Sequence, residues 1–69
     1  MPQPIALKLR SLRERRGLTQ KEAAQLAEVS ELTVYRLESG KQTPPYMPSV
    51  TKIARAYGVS LEELLEEEE

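Results

Sequence analysis

Residues 19–40 read TQKEAAQLAEVSELTVYRLESG, and they hold two short helical segments, each with its own start signal. Thr19 stands before the first, with Glu22 three residues later, the spacing of a capping box. That predicts a helix over 20–27. Ser30 is an N-cap for a second helix over 31–39, and Gly40 is placed to end it. Only the turn at Glu28-Val29 separates the two. A connection this short forces the helices to cross steeply, which is helix-turn-helix geometry. Ala23, Ala24 and Ala27 permit close helix approach, and Val34 and Leu37 face inward. Such a pair cannot bury its apolar faces alone, so it needs helices on both sides.

The flanks supply them. Ile5, Leu9 and Leu12 form an apolar stripe at helical spacing, predicting a first helix from Ile5 to Arg16 that stops at Gly17. Leu18 then turns inward. Lys41–Pro48 is a loop stiffened by three prolines. A fourth helix begins between Met47 and Val50, where Pro48 fits only in the first turn. Ile53, Ala54 and Tyr57 make its inner face, and Gly58 ends it. Ser60 and Glu63 repeat the capping box before a short fifth helix carrying Leu61, Leu64 and Leu65. No segment reads as a strand. The expectation is an all-α, compact five-helix bundle over residues 1–65, with an acidic tail at 66–69.

Composition narrows the function. The 69 residues are 39% hydrophobic and 30% charged, too few for a second domain or a large cleft. There is no Cys, His, Asp or Asn, which removes disulfides, most nucleophilic triads and most metal sites. No metal, cofactor or small-molecule substrate is therefore expected, and no enzyme activity. No apolar run approaches a membrane span and no secretory pattern opens the chain, so a cytoplasmic protein is expected. The net charge of −1 hides an asymmetry: residues 1–42 carry +3 and residues 43–69 carry −4. One face suits phosphate and another avoids it, unless both sets only keep the domain soluble.

Three motifs resemble the Cro/cI-type (XRE-like) helix-turn-helix family: Leu12-Arg13-Glu14-Arg15-Arg16-Gly17-Leu18-Thr19-Gln20, Val34-Tyr35-Arg36-Leu37-Glu38-Ser39-Gly40-Lys41, and Ile53 through Leu65. The likeness covers about residues 5–65 with the elements in family order. It implies a lambda-repressor-like domain that binds double-stranded DNA, usually as a homodimer, with its third helix in the major groove. Carried over by position, Gln20 is implied to bind phosphate at the start of the second helix. Ser30, Glu31, Leu32, Thr33 and Arg36 match the exposed side of the recognition helix. Lys41 and Gln42 match a backbone-contacting loop, and Arg13 with Glu38 matches a buried structural ion pair. Departures are Glu28, where the family turn usually has glycine, and the small Ala23 and Ala27. Leu26 stands where the family is polar, and either takes over part of that packing or stays exposed. The loop is about one residue longer, with Thr43-Pro44 at positions that are often basic.

Each candidate has a functional and a plain reading. Arg36 either forks onto a guanine edge or bonds a phosphate or a glutamate. Ser30 serves first as a cap. Glu31 either accepts from a cytosine amine or merely suits the helix dipole. Leu32 meets thymine methyls or a protein partner. Thr33 suits either role, and Tyr35 either donates to a phosphate or packs. Lys21, Lys41 and Gln42 are backbone contacts or solvated polar groups. With no effector portion visible, a small repressor acting on an inverted repeat is the leading function, its dimer surface around Val59, Leu61 and Leu65. The rival is an antitoxin-like or coactivator-like interaction module that keeps the fold.

Overall fold

A computed structural model describes residues 5–41 and 45–65. Gln42, the Thr43-Pro44 departure and the 66–69 tail lie outside the described residues. Five helices follow one another: α1 (Ile5–Arg15), α2 (Gln20–Ala27), α3 (Glu31–Ser39), α4 (Met47–Tyr57) and α5 (Leu61–Leu65). α1 ends one residue before the expected Arg16. The other boundaries agree with the sequence signals, because those signals are short-range hydrogen bonds. The Thr19 N–H donates to Glu22 Oε1 at 2.8 Å, and the Glu22 N–H donates to Thr19 Oγ1 at 3.1 Å. The Thr19 N–H first, and the Thr19 side chain second, hold the Glu22 carboxyl below the usual carboxylate range. Their contribution is present above the ordinary Glu range and is lost as pH falls through the lowered value. The Glu63 N–H donates to Ser60 Oγ at 3.1 Å, and the Ser60 N–H to Glu63 Oε1 at 3.3 Å. Pro48 sits in the first turn of α4, where its missing N–H removes no helical bond.

The turn between α2 and α3 holds the strain that its sequence implies. Glu28 adopts φ 60° and ψ 42°, the only left-handed non-glycine residue among those described. Its N–H closes on the carbonyls of Ala24 and Gln25, and the Val29 N–H donates to Ala24 O at 3.0 Å. This doubles the chain back within two residues.

α2 lies at the centre, packed on both α3 and α4, while α1 packs on α3 and α5 closes one end against α1 and α4. Ala23, Ala24 and Ala27 are all buried and sit between Val34 and Leu37 of α3 and Val50, Ile53 and Ala54 of α4 in one cluster. Leu9, Tyr57 and Leu64 complete it. The placing of two leucines is settled by the packing. Leu26 is 57% exposed and takes over no packing, because the alanines let α2 approach its neighbours and leave no volume to fill. Leu65 is exposed, so Leu64 alone of α5 is buried, with Leu61 half-buried beside the core. Lys8, unremarked in the sequence, is buried on the inner side of α1.

The end of α1 is stitched to the end of α4. Arg16 donates through Nη1 to Leu12 O at 3.1 Å and through Nη2 to the carbonyl of Tyr57, and its guanidinium lies 5.5 Å from the Tyr57 ring centre. A cation there meets both the negative end of the α4 dipole and the face of an aromatic ring. The Tyr57 hydroxyl is buried without a hydrogen-bond partner among the described residues. Burial pushes its pKa up to about 12, with Glu38 adding to the rise.

Two outcomes follow for stability. Glu28→Gly removes the left-handed strain and is expected to raise stability by about 1 kcal/mol, read as a rise of roughly 4–8 °C in thermal unfolding followed by circular dichroism. An unchanged or lower midpoint contradicts the strain. Tyr57 favours its neutral form in the folded state, so its contribution holds below pH 10 and is lost as pH rises towards about 12. Tyr57→Phe is expected to lose less stability than the parent over that interval in denaturant titrations. It is also expected to be at least as stable at neutral pH, since an unsatisfied hydroxyl is gone.

Candidate nucleic-acid interface

α3 buries little of itself. Val34 and Leu37 are in the core and Thr33 and Glu38 are half-buried, while Glu31, Leu32, Tyr35, Arg36 and Ser39 are exposed. Those five positions follow a spacing of one, three, one and three, so they form one stripe along the helix. The burial pattern is why the stripe exists: the helix touches the core along a single edge and projects the remainder.

Three shallow clefts border the stripe, and Tyr35 lines all of them. One is formed with Gln20, Glu31 and Leu32, one with Arg36, Ser39 and Lys41, and one with Arg10, Arg13, Gln20, Glu38 and Ser39. The surface therefore runs from the start of α2, across α3, to the chain just after it. Lys21, beside Gln20 in the first turn of α2, is exposed. Ser30 is engaged as the cap of α3: its hydroxyl accepts from the Thr33 N–H at 3.1 Å and lies 2.7 Å from Thr33 Oγ1. Both hydroxyls are thus tied into the turn, at the edge of the stripe rather than on it. Gln42 cannot be placed, since it lies outside the described residues.

Arg13 and Glu38 pair across the fold, linking α1 to α3. Arg13 Nε donates to Glu38 Oε2 at 2.7 Å and Nη2 to Oε1 at 3.0 Å, with side chains 13% and 5% exposed. Arg13 Nη1 donates to the Leu18 carbonyl at 2.8 Å. Bonding to Glu38 raises the Arg13 pKa above its ordinary value despite opposing desolvation. Glu38 therefore presents no bare charge to the neighbouring stripe. The acid on the stripe itself is Glu31, in the first turn of α3, whereas Arg36 lies in its last turn.

Sequence reasoning missed Arg10. It lies on α1 and lines the cleft shared by Gln20 and Tyr35, with one exposed contact to Glu14 at 3.5 Å. Its only signal was its place one helical turn before Arg13. Among the described residues no group of acids is arranged to hold a metal ion, and no helix is long and apolar enough to cross a membrane.

Comparison with known proteins agrees with this geometry. The family described as helix-turn-helix domain matches residues 5–67. The N-terminal DNA-binding domain of SinR from Bacillus subtilis superposes with a TM-score of 0.84 at 26% identity, covering 93% of each chain. SinR in its complex with DNA gives 0.82 at 26% identity, covering 90% of this chain and 98% of that one. A transcriptional regulator of the HTH_3 family from Vibrio cholerae gives 0.79 at 32% identity, over 90% of this chain and 34% of its own. In sequence, a 65-residue stretch is 32% identical to part of the glutamine–fructose-6-phosphate aminotransferase (isomerizing) of Methanocaldococcus jannaschii. That match takes in 94% of this chain, which spans 6% of the aminotransferase's length. Five helices in this order, a capped α2 turning through Glu28 onto a half-exposed α3, and a family match over nearly the whole chain lead to one conclusion: the protein belongs to the helix-turn-helix domain family, of the Cro/cI (XRE-like) type.

Proposed function

We propose that this protein is a sequence-specific, double-stranded DNA-binding transcriptional regulator that inserts α3 into the major groove. The observation that carries this is the unbroken exposed stripe Glu31, Leu32, Tyr35, Arg36 and Ser39 on a helix anchored along its opposite edge. The major groove admits an α-helix, and its base edges are read by side chains of this reach. Arg36 reads a guanine through its fork, and Leu32 meets a thymine methyl. Gln20, Lys21, Lys41 and Arg10 hold phosphates on either side, with Tyr35 donating its hydroxyl between them. Ser30 and Thr33 set the start of α3, and Gln42 extends the loop contact.

The resemblance of the fold to SinR, which has been solved in complex with DNA, supports a DNA-binding role. A domain this small makes few contacts, so it acts as a homodimer on an inverted repeat with half-sites about 34 Å apart. A protein lying in the groove blocks other proteins without further contacts, which favours repression. The shared stretch covers 6% of the aminotransferase, too little of its length to carry its catalysis over to this chain. The charge and composition favour a cytoplasmic setting.

A second reading has its own observation. Leu26 and Leu32 are 57% and 52% exposed, and Leu26 lies in a groove with Lys52 and Arg55 away from α3. A protein-interaction module of the same fold would use them. Salt separates the two readings: a regulator loses duplex affinity steeply as salt rises, whereas a module shows little affinity to lose.

Selection from random duplexes is expected to return an inverted repeat. Arg36→Ala is expected to relax one position of each half-site, with a loss of about 1–3 kcal/mol on the best sequence. Lys41→Ala is expected to weaken all sequences alike and to lower the salt slope by about one. Glu31→Gln is expected to tighten binding to unselected DNA by removing repulsion. A selection that enriches nothing at low salt overturns the proposal.

A further inference from the structure

The Arg13–Glu38 pair and Gln20 look like separate devices in the sequence, one structural and one a phosphate contact. The structure joins them. Glu38 Oε1 accepts from Arg13 Nη2 at 3.0 Å and also from Gln20 Nε2 at 3.2 Å. One carboxylate thus collects donors from α1 and α2 while standing on α3. Both of its oxygens are engaged by the Arg13 fork, so its plane cannot rotate freely. An ionised carboxylate only accepts, so the Gln20 amide must turn its nitrogen inward to meet it. The second hydrogen of that nitrogen and the amide oxygen remain for a ligand at the start of α2.

We propose that Glu38, held by Arg13, is a positioning residue for DNA-backbone binding: it orders the Gln20 side chain before DNA arrives. This rests on the DNA-binding reading above. An unrestrained glutamine has several rotamers and loses that freedom on binding, whereas one already bonded to a fixed carboxylate loses less. Arg13 has a second part in this. Without its charge, Glu38 would bring an unneutralised anion beside the site where a phosphate is to sit. The pair therefore combines order with local neutrality, which neither residue supplies alone.

The test compares four proteins: the parent, Gln20→Ala, the double variant Arg13→Met with Glu38→Leu, and the triple variant. Replacing both members of a buried pair by apolar residues of similar volume is often neutral or stabilising, so the double variant is expected to fold. Thermal melts check that. Affinity is read on a mixed-sequence duplex at low salt. The double variant is expected to bind roughly 2- to 10-fold more weakly. Gln20→Ala is expected to weaken the parent measurably but to add almost nothing to the double variant. Equal losses from Gln20→Ala in both backgrounds, or parental affinity in the double variant, overturn the proposal. A measurement on the parent alone stands beside these. Side-chain amide relaxation by nuclear magnetic resonance is expected to show Gln20 ordered and the exposed Gln25 mobile; equal mobility overturns the proposal even if the variants misfold. If no protein binds any duplex while Gln20 is ordered, the DNA reading has failed and the Glu38–Gln20 coupling has not.

Discussion

The architecture depends on how closely α2 can approach two neighbours at once. Ala23, Ala24 and Ala27 present only methyl groups, and each is buried. Their small size lets α3 and α4 pack directly against the α2 backbone, and the turn through Glu28 brings α3 into that contact. Close approach and a left-handed turn residue are thus two aspects of one constraint. Together they set α3 across α2 with a single edge in the core. The exposed stripe is the geometric remainder of that packing, so one side of the nine-residue helix serves stability and the other is left open.

Electrostatics completes the arrangement. A small domain gains little from surface ion pairs such as Arg10–Glu14, which solvent screens. Arg13–Glu38 is different, because both groups are largely withdrawn from water and Arg13 Nη1 bonds the Leu18 carbonyl as well. Such a pair is weak evidence for net stability, since desolvation offsets much of the attraction. Its value here lies in specificity. It fixes the rotation of α1 against α3, silences an acid beside a basic surface and reaches Gln20. Arg16 performs a related task just beyond the same end of α1, where it caps α4 and covers Tyr57.

Much of this was legible because it is local. Thr19 with Glu22, Ser30 with Thr33, and Ser60 with Glu63 are hydrogen bonds across three residues, so their spacing appears in the chain itself. The core faces of α3 and α4 were legible for the same reason, as helical periodicity. The Arg13–Glu38 pair, separated by 25 residues, came only through the family resemblance. Burial of Lys8, exposure of Leu26 and Leu65, and the unpaired Tyr57 hydroxyl left no local mark. Each depends on which neighbour arrives from elsewhere in the chain, and an apolar residue looks the same in sequence on either side of a helix.

The amino-acid order by itself determined five helices, their ends, the tight turn at Glu28-Val29 and the unequal distribution of charge. These rest on bonds and rotamers within about one helical turn. The tertiary structure alone decided that Tyr35 lies at the junction of three clefts, that Arg10 and Gln20 line one of them together, and that one carboxylate serves both a half-buried arginine and a half-buried amide. Arg10 and Gln20 are 10 positions apart, Gln20 and Glu38 18, and Arg13 and Glu38 25. Only the crossing angles of packed helices bring such residues within hydrogen-bonding reach.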